Sequence, residues 1–277
     1  MLIVLAILGI LMALLVVAAQ KARASMARVE CANNLKQIGI ALYSYHAAHS
    51  CFPAALGPPV AGAAIAPARP VLPMATAEAT WIRSILPHLD QQHPAWDEVL
   101  TVLACPADPR GKRLYNSYDG HGYTCYLAVA GWENYDSLGI MFLNSRIRAE
   151  DVSDGTSNTL LVAERPPAIM GTQQGWGWWE SADVGDVSIG LKVTKWYQHT
   201  NCIVTPQYFG TGASAVNDAG FLGDSTFCHA NHPWSFHAGG ANMLLGDGSV
   251  RFVAYSAGRI LPALATIRGG ETVGLPQ

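Results

Sequence analysis

Residues 2–53 read LIVLAILGILMALLVVAAQKARASMARVECANNLKQIGIALYSYHAAHSCFP. The stretch opens with 18 consecutive uncharged residues, from Leu2 to Ala19, and contains no proline before Pro53. An 18-residue helix is about 27 Å long, close to the roughly 30 Å hydrocarbon core of a bilayer. A surface helix of a soluble protein would carry polar residues on one side, and this segment carries none. The stretch therefore predicts a membrane or export segment.

Three interpretations of this segment compete. A cleaved signal peptide would have a charged start and a small-residue cleavage site. Met1 is followed at once by apolar residues, and Ala18-Ala19-Gln20 is only a passable cleavage site. An ordinary signal anchor conflicts with Lys21, Arg23 and Arg28, which would hold the following domain in the cytoplasm. The third interpretation, which the sequence favours, is a helix that continues beyond the membrane.

The sequence after Ala19 supports a continuous helix. Good helix formers dominate it, with Gly39 as a mild weak point. Apolar residues recur at spacings of 4, 3, 4 and 3, which is one face of a helix: Cys31, Leu35, Ile38, Leu42 and Tyr45. We predict one helix of about 48 residues, some 70 Å long. Its second half is amphipathic, and we expect the rest of the chain to cover its apolar stripe.

The chain resembles a bacterial family with a prepilin-type N-terminal helix, a C-terminal H-x9-DG motif and otherwise unknown function. The motif is met by His237, Asp247 and Gly248. Further blocks appear in the family's order: TWIRSILPHLDQQ, VLACPADP, TCYLAVAG, DVSDGTSNTLLVAERP, FHAGGANMLLGDGSVRFV and ILPALATIRGGETV. The resemblance covers nearly the whole chain. It implies a subunit similar to type IV pilins and secretion pseudopilins.

One feature departs from that family. Its members begin with a short basic leader, a Gly-Phe peptidase site and a glutamate early in the mature helix. Met1 falls about where that glutamate would be. Either the natural start lies upstream, which we favour, or this chain has lost prepilin processing. A basic leader would also hold the N-terminus inside and thereby resolve the orientation conflict.

The remaining sequence predicts an α+β head in which an antiparallel sheet packs against the helix stripe. Residues 1–50 form the helix, with 1–20 in the membrane, and residues 51–277 form the head. Asp-Gly between two apolar runs is a strong hairpin signal, and Asp247-Gly248 provides it. We predict five strands: Leu100–Cys105, Thr124–Val129, Thr159–Ala163, Met243–Leu245 and Val250–Ala254. We also predict a short helix, Trp81–Gln92, that is interrupted or reset at Pro87.

Several side chains are candidate metal ligands, although turn chemistry and hydrogen bonding also account for them. Asp154 and Asn158 lie in an oxygen-rich loop that suits calcium, but it lacks the D-x-D-x-D-G spacing. Some secretion pseudopilins, which the chain resembles, bind calcium. His229 and His232 belong to a Cys- and His-rich run ending at His237, with no common zinc spacing. His46 and His49 share a helix face.

Six cysteines allow 15 connectivities. Cys31 and Cys51 are about 30 Å apart along one helix, too far for a disulfide. Because Cys31 and Cys105 both fall in blocks shared with the family, their pairing is our first prediction. Cys202–Cys228 is a plausible local bridge, and Cys51–Cys125 follows by subtraction.

Composition excludes some functions. The net charge of −3 gives no electrostatic footprint for nucleic acid. The sequence contains no G-x-S-x-G nucleophile motif or phosphate loop, so we predict a non-enzyme.

We predict a pilin-like subunit anchored in the inner membrane, with an extracytoplasmic head, that self-associates through its apolar helix. The alternative is a monomeric tethered module that binds polysaccharide through Trp176, Trp178 and Trp179.

Overall fold

The computed structural model describes residues 2–58, 79–90, 98–109, 122–133, 135–170, 173–177, 179, 184–191 and 232–271. Its first element is a single helix of 48 residues, α1 (Leu2–His49). The predicted continuous helix is therefore confirmed. The predicted stripe is also confirmed, because each of its five side chains is buried: Cys31, Leu35, Ile38, Leu42 and Tyr45.

The first half of α1 is exposed. Residues 2–26 are all exposed, and the most apolar window of the helix has a mean hydropathy of 3.2 with none of it buried. The helix is long and apolar enough to cross a membrane, which is equally true of some signal sequences. The chain thus carries an apolar N-terminal helix that fits a membrane anchor or a signal sequence.

The head is α+β, as predicted. Its elements in chain order are β1 (Leu56–Gly57), β2 (Ala79–Thr80), α2 (Trp81–Ile85), β3 (Tyr126–Gly131), β4 (Leu160–Glu164), β5 (Ala168–Met170), β6 (Gln173–Trp176), α3 (Val184–Val187), β7 (Ser188–Gly190), β8 (Gly240–Leu245) and β9 (Val250–Ala254). The main sheet has the strand order β7-β3-β4-β8-β9. Its pairs are antiparallel except for β7, which joins the edge in parallel with β3.

The sheet separates two apolar clusters. Alternate strand residues face opposite sides, so Leu244 packs toward α1, whereas Met243 and Leu245 pack on the far side. A 3₁₀ helix, Tyr255–Ala265, covers that far side. Helix α1 packs closely on β8 at Gly39, since a Cβ there would lie 3.0 Å from Leu244 Cδ1. The sheet therefore packs on the helix stripe as the sequence predicts.

Most of the predicted strands are confirmed, and one is wrong. Strands β3, β4, β8 and β9 lie where the sequence places them. Leu100–Cys105 is not a strand, because Thr101–Leu103 forms a 3₁₀ helix closed by Leu103 N donating to Leu100 O at 2.8 Å. Leu103 and Cys105 are buried beside α1, so their apolar character reflects packing and not strand alternation.

The predicted reset at Pro87 is confirmed. Helix α2 begins with Thr80 as N-cap, whose Oγ1 accepts a hydrogen bond from Arg83 N at 3.1 Å. It ends at Ile85, and a 3₁₀ helix, Leu86–Leu89, follows with the proline in its first turn. Proline has no N–H to donate into the preceding α-helical turn, so the tighter helix takes over there.

Candidate functional site

The Asp-Gly part of the family signature forms the β8–β9 turn. Gly248 has a φ of +79°, which an L side chain rarely adopts. The Asp247 Oδ1 accepts a hydrogen bond from Ser249 N at 2.8 Å and fixes the turn. The turn docks on α1, where Lys36 Nζ donates to Gly248 O at 2.7 Å and the Tyr43 hydroxyl donates to Gly246 O. Asp247 and Gly248 therefore have a structural role.

His237 lies at the opposite end of β8 from that turn. Its backbone N–H donates to Ser235 Oγ at 3.0 Å, and the same hydroxyl donates to Gly240 O at 2.7 Å. The nine residues between His237 and Asp247 thus contain β8 and its flanking turns. The two parts of the signature bracket one strand and do not form one site.

His237 instead meets three side chains from other elements. Its Nε2 lies 3.5 Å from Glu164 Oε1 and 3.7 Å from Cys105 Sγ. The Sγ atoms of Cys31 and Cys105 are 2.7 Å apart. One ligand atom from each of the four residues lies within 4.8 Å of all the others, and all four residues are buried. We call these four residues the thiol–imidazole–carboxylate cluster.

Asn242 fixes the carboxylate of this cluster. Glu164 ends β4 and Asn242 lies beside it on β8, one step along from the Ala163–Met243 pair. The Glu164 Oε2 accepts from Asn242 N at 2.6 Å, and the Oε1 accepts from Asn242 Nδ2 at 3.0 Å. Two donors therefore orient a carboxylate that is only 1% exposed.

Further polar groups surround the two thiols of the cluster. The Tyr126 hydroxyl donates to Cys31 O at 3.4 Å and accepts from Asn34 Nδ2 at the same distance. Cys125 is buried and hydrogen-bonds with Cys105. These buried polar groups lie where α1 packs against the sheet, so the contact between helix and sheet is not purely apolar.

Neighbouring groups and burial set the pKa values in the cluster. A hydrogen bond with Cys105 and burial raise the pKa of Cys31, and a hydrogen bond with Cys125 raises that of Cys105. Burial raises the pKa of Cys125 to about 11. For His237, burial lowers the pKa, but hydrogen bonds with Cys31 and Glu164 outweigh it and raise the pKa to about 9. These pKa directions favour protonated thiols and a protonated His237 imidazole.

The structure brings together one of the predicted cysteine pairs. Cys31 and Cys105 are neighbours, with their Sγ atoms 2.7 Å apart. The Cys51–Cys125 pairing is corrected, because Cys125 lies beside Cys105 whereas Cys51 follows the far end of α1. About 20 residues of helix rise, roughly 30 Å, separate Cys51 from this cluster, and a disulfide spans no more than about 7 Å between Cα atoms. Cys202 and Cys228 lie outside the described residues.

The loop predicted to suit calcium is closed by hydrogen bonds to the backbone. The Asp154 Oδ2 accepts from Gly269 N at 2.7 Å, and its Oδ1 accepts from Gly270 N at 3.1 Å. Asn158 Nδ2 donates to Asp154 O at 3.1 Å. This geometry is that of a side-chain-stabilised turn. Calcium binding here stays a prediction, which calorimetric titration tests.

The other candidate histidines that the structure describes contact different parts of the chain. His232 is buried with its Nδ1 3.0 Å from Pro233 O, and His229 lies outside the described residues. His46 Nε2 accepts a hydrogen bond from Ala149 N at 3.2 Å. His49 instead stacks near Tyr45, with ring centroids 4.4 Å apart.

Sequence reasoning missed Glu164 and Asn242. A signal for both was present, because each is a polar residue inside a run that is otherwise apolar: LLVAE in β4 and GANMLL in β8. Buried polar side chains on neighbouring strands are expected to hydrogen-bond with each other. The approach of Glu164 to Cys31 and Cys105 depends on tertiary packing.

Residues 20–259 match the family described as protein of unknown function (DUF1559). The match covers most of the chain, so the protein belongs to this family. No curated protein and no solved structure matches the chain. Together with the apolar N-terminal helix, membership of this family fits a membrane-anchored surface protein.

Proposed function

We propose that this chain is a pilin-like structural subunit, anchored in the inner membrane, whose extracytoplasmic heads are displayed by helices that pack into a filament. The observation that carries the proposal is the exposed apolar half of α1. Large side chains all round it are exposed, among them Leu2 at 84%, Leu11 at 51% and Leu14 at 63%. An apolar surface of this size is stable only when lipid or other apolar surfaces cover it.

The attachment of α1 supports a role in assembly. The half after Glu30 is clamped to the sheet by its buried stripe and by Lys36 on the β8–β9 turn. The half before it continues the same helix without a break. Because the half of α1 after Glu30 is packed on the head, the apolar half before it extends from the head in a fixed direction. Identical copies can therefore pack their helices side by side with heads outward, which is the arrangement that the resemblance to pilins implies.

Charged residues mark where the apolar half ends. Lys21, Arg23 and Arg28 are exposed, and the Arg28 guanidinium lies 4.7 Å from the centroid of the Phe252 ring on β9. A cation over an aromatic ring at the base of the head is stabilising, by about 0.5–1 kcal/mol at exposed sites. The basic side chains sit at the level where a membrane surface or the edge of a filament core would lie.

The test uses the full chain expressed from its own gene. We expect it to sediment with membranes, to need detergent for extraction, and to form filaments visible by electron microscopy. Leu11→Asp and Leu14→Asp should abolish filaments, because a charge within apolar helix packing costs several kcal/mol. Gln37→Asp is the matched control, since it places the same charge on an exposed position beside the clamped stripe.

Detergent-dependent monomers without filaments would contradict assembly and favour the tethered module. For that alternative, Trp179 is only 1% exposed and belongs to the core, so it does not contribute to a stacking face for polysaccharide. Trp178 lies outside the described residues. Release of the wild-type protein in soluble form, without its first 20 residues, would contradict the anchor itself.

A further inference from the structure

We propose that Cys31, Cys105, Glu164 and His237 form a buried structural zinc site that fastens the long helix to the head. The four ligands come from four separate parts of the fold. Cys31 lies on α1, Cys105 follows the 3₁₀ helix Thr101–Leu103, Glu164 ends β4, and His237 precedes β8. A single ion would therefore join the helix, two loops and one strand end.

The distances suit tetrahedral coordination. Zn–S bonds of about 2.3 Å and Zn–N or Zn–O bonds of about 2.0 Å give ligand–ligand edges of roughly 3.3–3.8 Å. The observed Cys105–His237 and His237–Glu164 edges are 3.7 Å and 3.5 Å. The Cys31–Cys105 edge, at 2.7 Å, is too short, and the other three pairs of ligand atoms lie within 4.8 Å of each other. The Cys31–Cys105 edge must open by about 1 Å when the ion binds, and rotation of the thiols about their Cα–Cβ bonds is the adjustment available to it.

The identity of the donors selects the metal. Two thiols and an imidazole are ligands that zinc prefers, whereas calcium and magnesium prefer oxygen. Four protein ligands close a tetrahedral site and leave no position for water, which is the pattern of structural and not catalytic zinc. All four residues are buried, so the ion would be inaccessible to exchange except by local opening.

A second layer of hydrogen bonds holds the ligands in position, as it does in other metal sites. Asn242 donates twice to the Glu164 carboxylate, at 2.6 Å and 3.0 Å. Ser235 Oγ accepts from the backbone of His237 at 3.0 Å and fixes its loop. Tyr126 donates to the carbonyl oxygen of Cys31. The ligands are thus oriented by groups that belong to the fold.

Binding is balanced by the release of protons. Both thiols must lose their protons to become thiolates, and His237 must lose the second proton of its imidazole. Zn²⁺ replaces the protons that these three atoms carry. Zinc uptake should therefore weaken as the pH falls, because protons compete for the same three atoms.

Oxidation of Cys31 and Cys105 to a disulfide is the competing fate of the same two sulfurs. It would transfer two electrons to an exported thiol oxidant and release two protons. A disulfide would make no use of the imidazole and the carboxylate, which lie within 4.8 Å of the sulfurs in a buried position. Zinc accounts for all four side chains, and the disulfide accounts for two.

The experiment measures metal on the full chain, purified in detergent without chelator. We expect one zinc per chain by elemental mass spectrometry, and a lower melting temperature after removal with a chelator. Co²⁺ added to the chelated protein should give the intense visible bands of a tetrahedral site and the ultraviolet band of thiolate–cobalt charge transfer.

Variants distinguish the site from other thiols. Cys105→Ser and His237→Gln should lose the metal or weaken its binding by at least ~10–100-fold. Cys51→Ser, which changes a buried cysteine far from the cluster, should keep one zinc. If a variant fails to fold, the cobalt spectrum of the wild-type chain still decides the question. A Cys31–Cys105 disulfide found by mass spectrometry, or a wild-type chain that gives no thiolate–cobalt band, would overturn the proposal. Neither outcome depends on whether filaments form.

Discussion

Lys36 of α1 donates a hydrogen bond from its Nζ to the carbonyl oxygen of Gly248, 212 residues later in the sequence, at 2.7 Å. This bond ties the middle of the long helix to the Asp-Gly turn of the family signature. The turn therefore sits on the helix surface, and its backbone conformation affects how the sheet is attached to α1.

Gly248→Ala should destabilise the head. Its φ of +79° costs an L residue about 1–2 kcal/mol, and the new Cβ would lie 3.5 Å from the Tyr43 ring. Gly248→Asn should cost less, because asparagine tolerates left-handed backbone better than alanine. Chemical denaturation of the two variants beside wild type measures the difference. Equal stability of the alanine variant and wild type would show that the turn does not require this conformation.

Asn242→Ala should destabilise the chelated protein by about 1–3 kcal/mol, because it removes one of the two hydrogen bonds that Asn242 gives to the buried Glu164 carboxylate. The backbone N–H of residue 242 still donates, so the loss is partial. Asn33→Ala, at an exposed position of α1, is the control and should change stability by less than ~0.5 kcal/mol. Comparable losses in both variants would contradict the role given to Asn242.

Gly39→Leu should weaken the packing of the sheet on α1. A Cβ at this position already lies 3.0 Å from Leu244 Cδ1, so a larger side chain must push β8 away. Overpacking of this kind costs about 1–3 kcal/mol. Ile40→Leu is the matched control, because residue 40 is next on the helix but 61% exposed. Thermal unfolding of the two variants gives the comparison, and an unchanged melting temperature for Gly39→Leu would argue against this close approach.

Asp154→Ala should release the loop at Gly269 and Gly270, whose N–H groups both donate to the Asp154 carboxylate. Hydrogen exchange at those two amides should speed up, with a loss of about 0.5–1.5 kcal/mol in stability because each bond contributes modestly. Asp154→Asn keeps one acceptor oxygen and should give an intermediate effect. Unchanged exchange in the alanine variant would mean that other contacts hold the loop.

Much of the fold could be predicted from local patterns. The apolar run and the 4-3-4-3 stripe predict α1 because helical periodicity depends only on residues close in sequence. The Asp247-Gly248 hairpin follows for the same reason, since turn chemistry is local. Leu100–Cys105 failed as a strand because a short apolar run is buried equally well in a 3₁₀ helix against α1.

The candidate site could be predicted only in part. The Cys31–Cys105 contact was expected from the family blocks, whereas pairing the remaining cysteines by subtraction gave the wrong neighbour for Cys125. His237 was singled out with the Asp-Gly turn, yet the two lie at opposite ends of β8. The spacing of a motif fixes how far apart its residues lie along the chain. It does not say which other residues pack against each of them.

The sequence by itself determined the long helix, its two different halves and the hairpin, because propensity, periodicity and turn conformation act within a few residues. Tertiary structure alone decided that a thiol on the helix, a thiol beside a 3₁₀ turn, a carboxylate at a strand end and an imidazole in a loop converge within 4.8 Å. Such convergence depends on strand order and on the placement of the helix across the sheet. Strand order and helix placement are set by the packing of the whole core. They cannot be read from patterns among residues that are close together in the sequence.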